Sequence, residues 1–456
     1  MTKSLIVLIS ICLLIVPSSA SALSYDVDET ILPNGLKVLL LENHKAPVVT
    51  FQVRYRVGSR NEAWRKTGLS HMLEHMMFKG TAKVGPEEFS RLVQANGGQD
   101  NAFTSKDFTA YFTNISIERL QVPLELESDR MSNLRLRAED FQTERMVVME
   151  ERRLRTEDNP QAYLIEQVEA AAFQIQPYHW PTIGWMEDIR GFTIEDLKAY
   201  YNLYYNPANA FLIVVGDFKK EEVLPRIEKA FGPIPKGAAP DQARDREEPQ
   251  AGERRVLVKK EAQLAYLTMG HHVPNIDDPD AYVLEVIGSI LSEGASSRLH
   301  RKLVREKRIA LSVDCDYSLV SRDPSLFTVS AGLLPDKNVA EVEGILDEEL
   351  ERLRKETVTE EELLKAKNQL EAAFVYSQDS LFFQAMVLAE YEIVSGWRKI
   401  NDYLTSIGRV SQADIMRVAK KYLIKDNRTV GILEPIPPKE GKAMPAGPSG
   451  TDHLMR

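Results

Sequence analysis

Gly68-Leu69-Ser70-His71-Met72-Leu73-Glu74-His75-Met76-Met77-Phe78 is the stretch on which the reading of this chain turns. Outside its polar residues it is Leu, Met and Phe without proline, the pattern of a helix buried all round. Two imidazoles and a carboxylate in such a helix are costly unless something compensates them. His71 and His75 are four apart and stack on one helical face, and Glu74 borders that face. Two neutral imidazoles at this spacing form a chelate for a divalent metal, most often zinc. The carboxylate beside them is placed to take a proton from a water at the metal.

The bland alternative is two core histidines satisfied by carbonyls and a glutamate paired with a lysine. It needs three separate coincidences on one apolar turn and a half. The order His-x-x-Glu-His is the inverted zinc-peptidase motif, far more specific than a lone pair of histidines four apart.

Around this helix the chain is ordinary in bulk. At 456 residues it is long enough for two or three domains, with 43% apolar and 27% charged residues. A formal charge of −10 gives no support to nucleic-acid binding. Residues 1–22 stand apart: Lys3, an apolar core from Leu5 to Val16, then Ala20-Ser21-Ala22. That is the layout of a secretory signal peptide cleaved after Ala22, and its apolar run is too short to span a membrane. Cleavage removes one lysine and no acid, which takes the charge from −10 to −11 and leaves Cys315 as the last cysteine. Without an internal disulfide, a bacterial periplasm fits better than a disulfide-stapled extracellular fate.

The coarse order is α+β and occurs twice. Glu29 to Leu41 reads as two strands around a Pro33-Asn34-Gly35 turn, followed by a strand from Val48 to Val57 and then the histidine helix. Later strands are expected at 101–104, 109–117 and 210–215, with a long helix from Glu139 to Thr156. Residues 233–254 lose apolar periodicity and read as a linker. Beyond it come strands within Val256–Met269, helices at Asp280–Ser292 and Ser297–Lys307, strands at 311–317 and 325–333, and helices at 339–355 and 360–375. Thr193-Ile194-Glu195-Asp196-Leu197 leading to Tyr204-Tyr205 parallels Ser411-Gln412-Ala413-Asp414-Ile415 leading to Lys421-Tyr422. The expectation is two homologous domains, 23–232 and 255–436, each a mainly antiparallel sheet packed with helices, with a disordered tail from 437. The second copy reads Tyr282-Val283-Leu284-Glu285-Val286 where the first has its histidines, so the chemistry belongs to the first half.

A catalytic zinc wants a third protein ligand and one open position. His44, His179, His300 and His453 are scattered, and the adjacent His271-His272 reads as a surface pair. On the helix from Glu139, Glu144 and Glu151 are seven apart and share a sector with Phe141, Val147 and Val148. Met146 and Met149 fall outside it. Two glutamates pairing with Arg145, Arg152 or Arg155 on a wet face is the open alternative.

His71-Met72-Leu73-Glu74-His75-Met76-Met77-Phe78-Lys79-Gly80-Thr81 resembles the insulinase/pitrilysin family of inverted-motif zinc peptidases, especially its processing-peptidase-like bacterial members. The likeness extends over nearly the whole mature chain. It takes in the Asn34-Gly35 turn, Gly97-Gly98 before Asn101-Ala102-Phe103-Thr104, and Pro177-Tyr178-His179-Trp180-Pro181. The resemblance implies a half-clamshell of two domains, one zinc ion per chain, and a third ligand in an E-R-x-V-x-x-x-E helix. Glu144-Arg145-Met146-Val147-Val148-Met149-Glu150-Glu151 matches that helix and puts the ligand at Glu151, 76 residues past His75. It further implies a role near the site for Glu144, Glu74 as general base, and Asn101 and Ala102 against a peptide substrate.

One departure stands out. Family members acting alone carry an Arg and a Tyr about seven residues apart in the second domain, which hold substrate. Here Arg305 is followed by Leu311 or Ser312 at the tyrosine position, and Tyr317 lies too far along. The expected partner is therefore a second subunit carrying the Arg/Tyr pair, as a heterodimer or else a homodimer. The expected activity is that of an exported zinc endopeptidase. The rival readings are a non-catalytic assembly subunit, and a peptide- or zinc-binding protein, for which Glu74 would be superfluous.

Overall fold

The computed structural model describes residues 25–241 and 246–437. The leader expected over 1–22 and all but the first residue of the expected tail lie outside them.

Six strands make the first sheet: β1 (Asp28–Ile31), β2 (Lys37–Glu42), β3 (Val48–Tyr55), β4 (Gln99–Thr104), β5 (Thr109–Ser116) and β6 (Ala210–Gly216). Five make the second: β7 (Arg254–Glu261), β8 (Tyr266–Val273), β9 (Ala310–Asp316), β10 (Ser325–Leu333) and β11 (Arg428–Ile436). The orders are β1-β2-β6-β3-β5-β4 and β7-β11-β8-β10-β9. Without β1, the two are the same topology. In each, the last strand of the half inserts beside the first as the sheet's one parallel pair, β2 with β6 and β7 with β11. The internal duplication read from the closing units is thus present in the strand order.

Both faces of the first sheet are covered, which is why β6 (Ala-Phe-Leu-Ile-Val-Val-Gly) is buried throughout. In β3 the alternation sends Val49, Phe51, Val53 and Tyr55 into a core shared with Leu69, Met72, Leu73 and Met76 of the histidine helix. Its other face carries Thr50, Gln52 and Arg54, also buried. That face is covered by a helix of the second half, Leu381–Val394. There the Met386 sulfur accepts from Arg54 at 2.7 Å, the Phe382 ring lies 4.8 Å from Phe112, and the Glu392 carboxylate pairs with Lys37 and Arg56.

The first half reciprocates. Its helix Pro160–Ala172 lays Leu164 and Val168 on Val258 and Leu433 of the second sheet. Gly431 makes that approach close: a Cβ there would stand 2.2 Å from a Val168 methyl. Each domain thus lends a helix to the other. A buried polar knot joins them again, with the Arg60 guanidinium on the Asp323 carboxylate at 2.6 Å and the Tyr178 hydroxyl donating to Asp107 at 2.7 Å. The linker is pinned to the first half by Glu247, whose carboxylate accepts from the backbone N–H groups of Gln174, Ile175 and Gln176.

Three expectations need correction. The helix from Glu139 is α-helical over Ala138–Arg152 and then widens to a π-helical turn over Arg153–Glu157. Within it Val147 is exposed and Met149 buried, opposite to the sector drawn from spacing alone. The helix abuts the histidine helix and Met186–Gly191 on two sides, so its buried stripe is wider than one row. His271 and His272 are not a surface pair. They lie in β8, whose alternation buries His271 at 1% exposure and turns His272 so that Nε2 donates to the Ala172 carbonyl at 3.0 Å.

Candidate active site

The histidine helix spans Leu69–Met76. Gly68 precedes it at φ +93°, where its missing side chain matters twice: the angle is left-handed, and a Cβ would lie 2.6 Å from the Ile183 carbonyl. Glu62 closes the helix start, its two carboxylate oxygens accepting from the N–H groups of Gly68 at 2.6 Å and Ser70 at 2.7 Å. A carboxylate on the free N–H groups of a first turn is favoured by their charge. Burial nevertheless raises Glu62 to about 8, against those same backbone bonds.

From this helix His71 and His75 project with ring centroids 4.7 Å apart. Glu151, one residue from the end of the Ala138–Arg152 helix, meets them. Its Oε2 stands 3.6 Å from His71 Nε2 and 3.3 Å from His75 Nε2. That oxygen is buried and has no hydrogen-bond partner. Donor atoms of the three residues lie within 4.8 Å of one another, and they form the one such group of His, Cys, Asp or Glu found among the described residues. Two atoms each at about 2.0–2.1 Å from a tetrahedral ion are roughly 3.3 Å apart, so the spacing and the His/His/Glu set fit zinc.

The surroundings fix each group. His75 Nδ1 donates to Glu144 Oε2 at 3.2 Å, and the other Glu144 oxygen holds the Lys79 ammonium at 2.5 Å. The Thr104 hydroxyl, at the end of β4, donates to Glu74 Oε2 at 2.5 Å. Arg155 Nε sits 3.0 Å from Glu151 Oε1. Burial lowers His71 to about 3, helped by His75, and so keeps it a neutral donor. Burial also pulls His75 down, but Glu144 and Glu151 outweigh it and hold that imidazole at about 9. Glu74 is raised to about 7 by burial, against the Thr104 bond and the His75 charge. Glu151 is lowered to about 2: burial opposes, and His75, His71 and Arg155 prevail.

The residues expected at the site are therefore brought together, with one distinction. Glu144 faces the far side of His75, not the cluster of donor atoms. Asn101 and Ala102 lie on β4, the outer strand of the sheet, and the Asn101 side chain accepts from the Ala102 N–H at 2.8 Å. Spacing alone missed Lys79, Thr104 and Glu62. Arg155 had a signal, four residues past Glu151, yet it served there only as an argument for a wet face.

A buried helix bearing two imidazoles and a carboxylate, met by an acid from a second helix beside an open sheet edge, defines a metal-dependent hydrolase of the inverted-motif class. Residues 37–184 match the model of the insulinase family (peptidase family M16), and residues 191–370 match that of the peptidase M16 inactive domain. The chain is 35% identical over 441 residues to zinc protease PqqE of Helicobacter pylori, covering 95% of this chain and 99% of that one. It is 28% identical to the uncharacterized zinc protease SCO5738 of Streptomyces coelicolor, over 92% of both. Among solved structures, that of a protease from Helicobacter pylori superposes with a TM-score of 0.86 at 34% identity, over 90% of this chain and 99% of that one. The periplasmic protease PqqL from Escherichia coli shares the fold at 17% identity, with a TM-score of 0.75, over 91% of this chain and 48% of that one.

The chain belongs to the peptidase M16 (insulinase) family and is a zinc protease of it.

Proposed function

We propose that this chain is an exported endopeptidase cutting peptides or unfolded polypeptides, with one zinc ion held by His71, His75 and Glu151. The observation that carries the reading is the buried Glu151 Oε2, without a hydrogen bond and set between two imidazole nitrogens, with Glu74 alongside. When bound there, zinc supplies a Lewis acid that polarises a peptide carbonyl and acidifies a water. Glu74 takes the water's proton and returns it to the leaving amine. Thr104 holds one of its oxygens and leaves the other to work. Glu144, braced by Lys79, orients His75 by accepting from Nδ1, so it is a positioning residue. An extended peptide adds to the outer edge of β4, with Asn101 and Ala102 beside the cleaved bond.

The active domain on this reading runs from 23 to 232, and the homologous domain from 255 to 436 is inactive. Inclusion of β6 in the first sheet supports the boundary. A second subunit supplies the missing Arg/Tyr pair. In support, Leu311 is exposed on the outer strand β9, and the Tyr317 hydroxyl is committed to the Pro274 carbonyl at 2.5 Å. Export to the periplasm rests on the leader sequence. Among the described residues no helix is long and apolar enough to cross a membrane.

The test is hydrolysis of casein or a quenched peptide by the purified mature chain, with and without a chelator. Glu74→Gln is expected to keep its zinc and lose turnover, and Glu151→Ala to lose the zinc. Hydrolysis that survives Glu74→Gln removes the base, and unchanged metal content in Glu151→Ala removes the ligand. A wild-type chain that holds zinc but never hydrolyses peptide, alone or with co-purifying proteins, is an assembly subunit.

A further inference from the structure

Resting on that assignment of ligands, we propose that Arg155 is a positioning residue that restricts Glu151 to one-oxygen ligation and so keeps a metal position open for water and substrate. A carboxylate has two oxygens and can ligate through one or both. Here the second is occupied. Arg155 Nε lies 3.0 Å from Oε1, while Oε2 is buried and turned to the two imidazoles, 3.3 Å from His75 Nε2 and 3.6 Å from His71 Nε2. The contact is an ion pair, and the guanidinium charge draws Oε1 away from the imidazoles. Bidentate ligation would have to break it.

The neighbouring arginines are engaged elsewhere. Arg152 forms a two-pronged bond to Glu166, and Arg153 reaches Glu150. Of these arginines Arg155 alone meets the Glu151 side chain, and it comes from the π-helical turn that begins two residues after that ligand. Such turns recur where a helix serves a functional site. Two imidazoles and one carboxylate oxygen make three ligands, the number that leaves zinc an open fourth position. A second carboxylate oxygen beside the water in that position makes five ligands and crowds the place where substrate must enter.

The experiment is cobalt(II) substitution of the full mature chain, because visible absorption is strong for four-coordinate cobalt and several-fold weaker for five or six ligands. Arg155→Met is expected to weaken the band several-fold and to lower zinc affinity about 10–100-fold in chelator competition. Arg155→Lys, which keeps a cation beside Oε1, is expected to restore most of both. The Arg155 side chain is 56% exposed, so its truncation leaves the core intact. A wild-type band and wild-type zinc affinity in Arg155→Met overturn the proposal while leaving the three ligands in place. His75→Ala serves as the control: metal uptake it does not reduce overturns the ligand assignment, and this inference with it.

Discussion

His75 concentrates the electrostatics of the site. Of the two imidazoles there, it is the one with a carboxylate at each nitrogen, Glu144 at Nδ1 and Glu151 at Nε2. Burial alone would lower it, yet the two acids hold it at about 9, above its ordinary 6.5. A metal ligand must be unprotonated, so zinc displaces the Nε2 proton. Apparent zinc affinity is therefore expected to rise with pH by up to about tenfold per unit, levelling near 9. In the metal-free chain the sign reverses. A raised pKa contributes stability that is fully present below 6.5 and is lost as pH climbs through about 9. Chelator competition across this range checks the first statement and melting of the metal-free protein the second; an affinity that is flat with pH overturns the charge assignment. Much of this was legible in the sequence. Helical spacing paired His71 with His75 and set Glu74 beside them. What spacing could not settle was which arginine Glu151 would take, because Arg145, Arg152 and Arg155 all lie within reach along one helix. Tertiary neighbours decided it: Glu166 took Arg152, and the Arg190 and Phe192 carbonyls took Arg145.

At the scale of elements, the sequence showed the strands and their doubling, whereas the exchange of helices was hidden. An amphipathic pattern reveals that Pro160–Ala172 has an apolar face, not which sheet that face covers. Leu381–Val394 lacks even that clarity, being apolar on most sides, and it is buried between the first sheet and its own domain. The one residue that betrays the exchange is Gly431, in the middle of β11, where glycine weakens a strand unless another chain segment needs the room. Gly431→Ala places a methyl group 2.2 Å from Val168 and 3.2 Å from Leu164. Overpacking of this kind costs about 1–3 kcal/mol. The expected outcome is a lower midpoint in thermal or urea unfolding, partly recovered by combining it with Val168→Ala, which removes the offending methyls. If Gly431→Ala alone melts with the wild type, the Pro160–Ala172 helix does not press on that strand.

For the whole molecule, reciprocal covering means that neither half has a complete core of its own. The first sheet without Leu381–Val394 exposes Leu39, Phe211, Ile213 and Val215, which now share a cluster with residues of the second half. The second without Pro160–Ala172 exposes Val258 and Leu433. Unfolding one half therefore strips the other, and the described chain is expected to melt in a single calorimetric transition even though it holds two sheets. The Arg60–Asp323 pair tests the coupling, because it joins the halves through charges that are 3% and 0% exposed. Removing one member of a buried pair leaves the other uncompensated, at a cost of about 3–5 kcal/mol. Asp107 remains 3.6 Å from Arg60, so Asp323→Ala falls toward the lower end, near 3 kcal/mol. That loss should appear as one transition moved to lower temperature, with the zinc site melting in step with both sheets. Two resolved transitions in the wild type, or a variant in which only the second half is destabilised, would mean that the exchanged helices rest on their neighbours without being required by them.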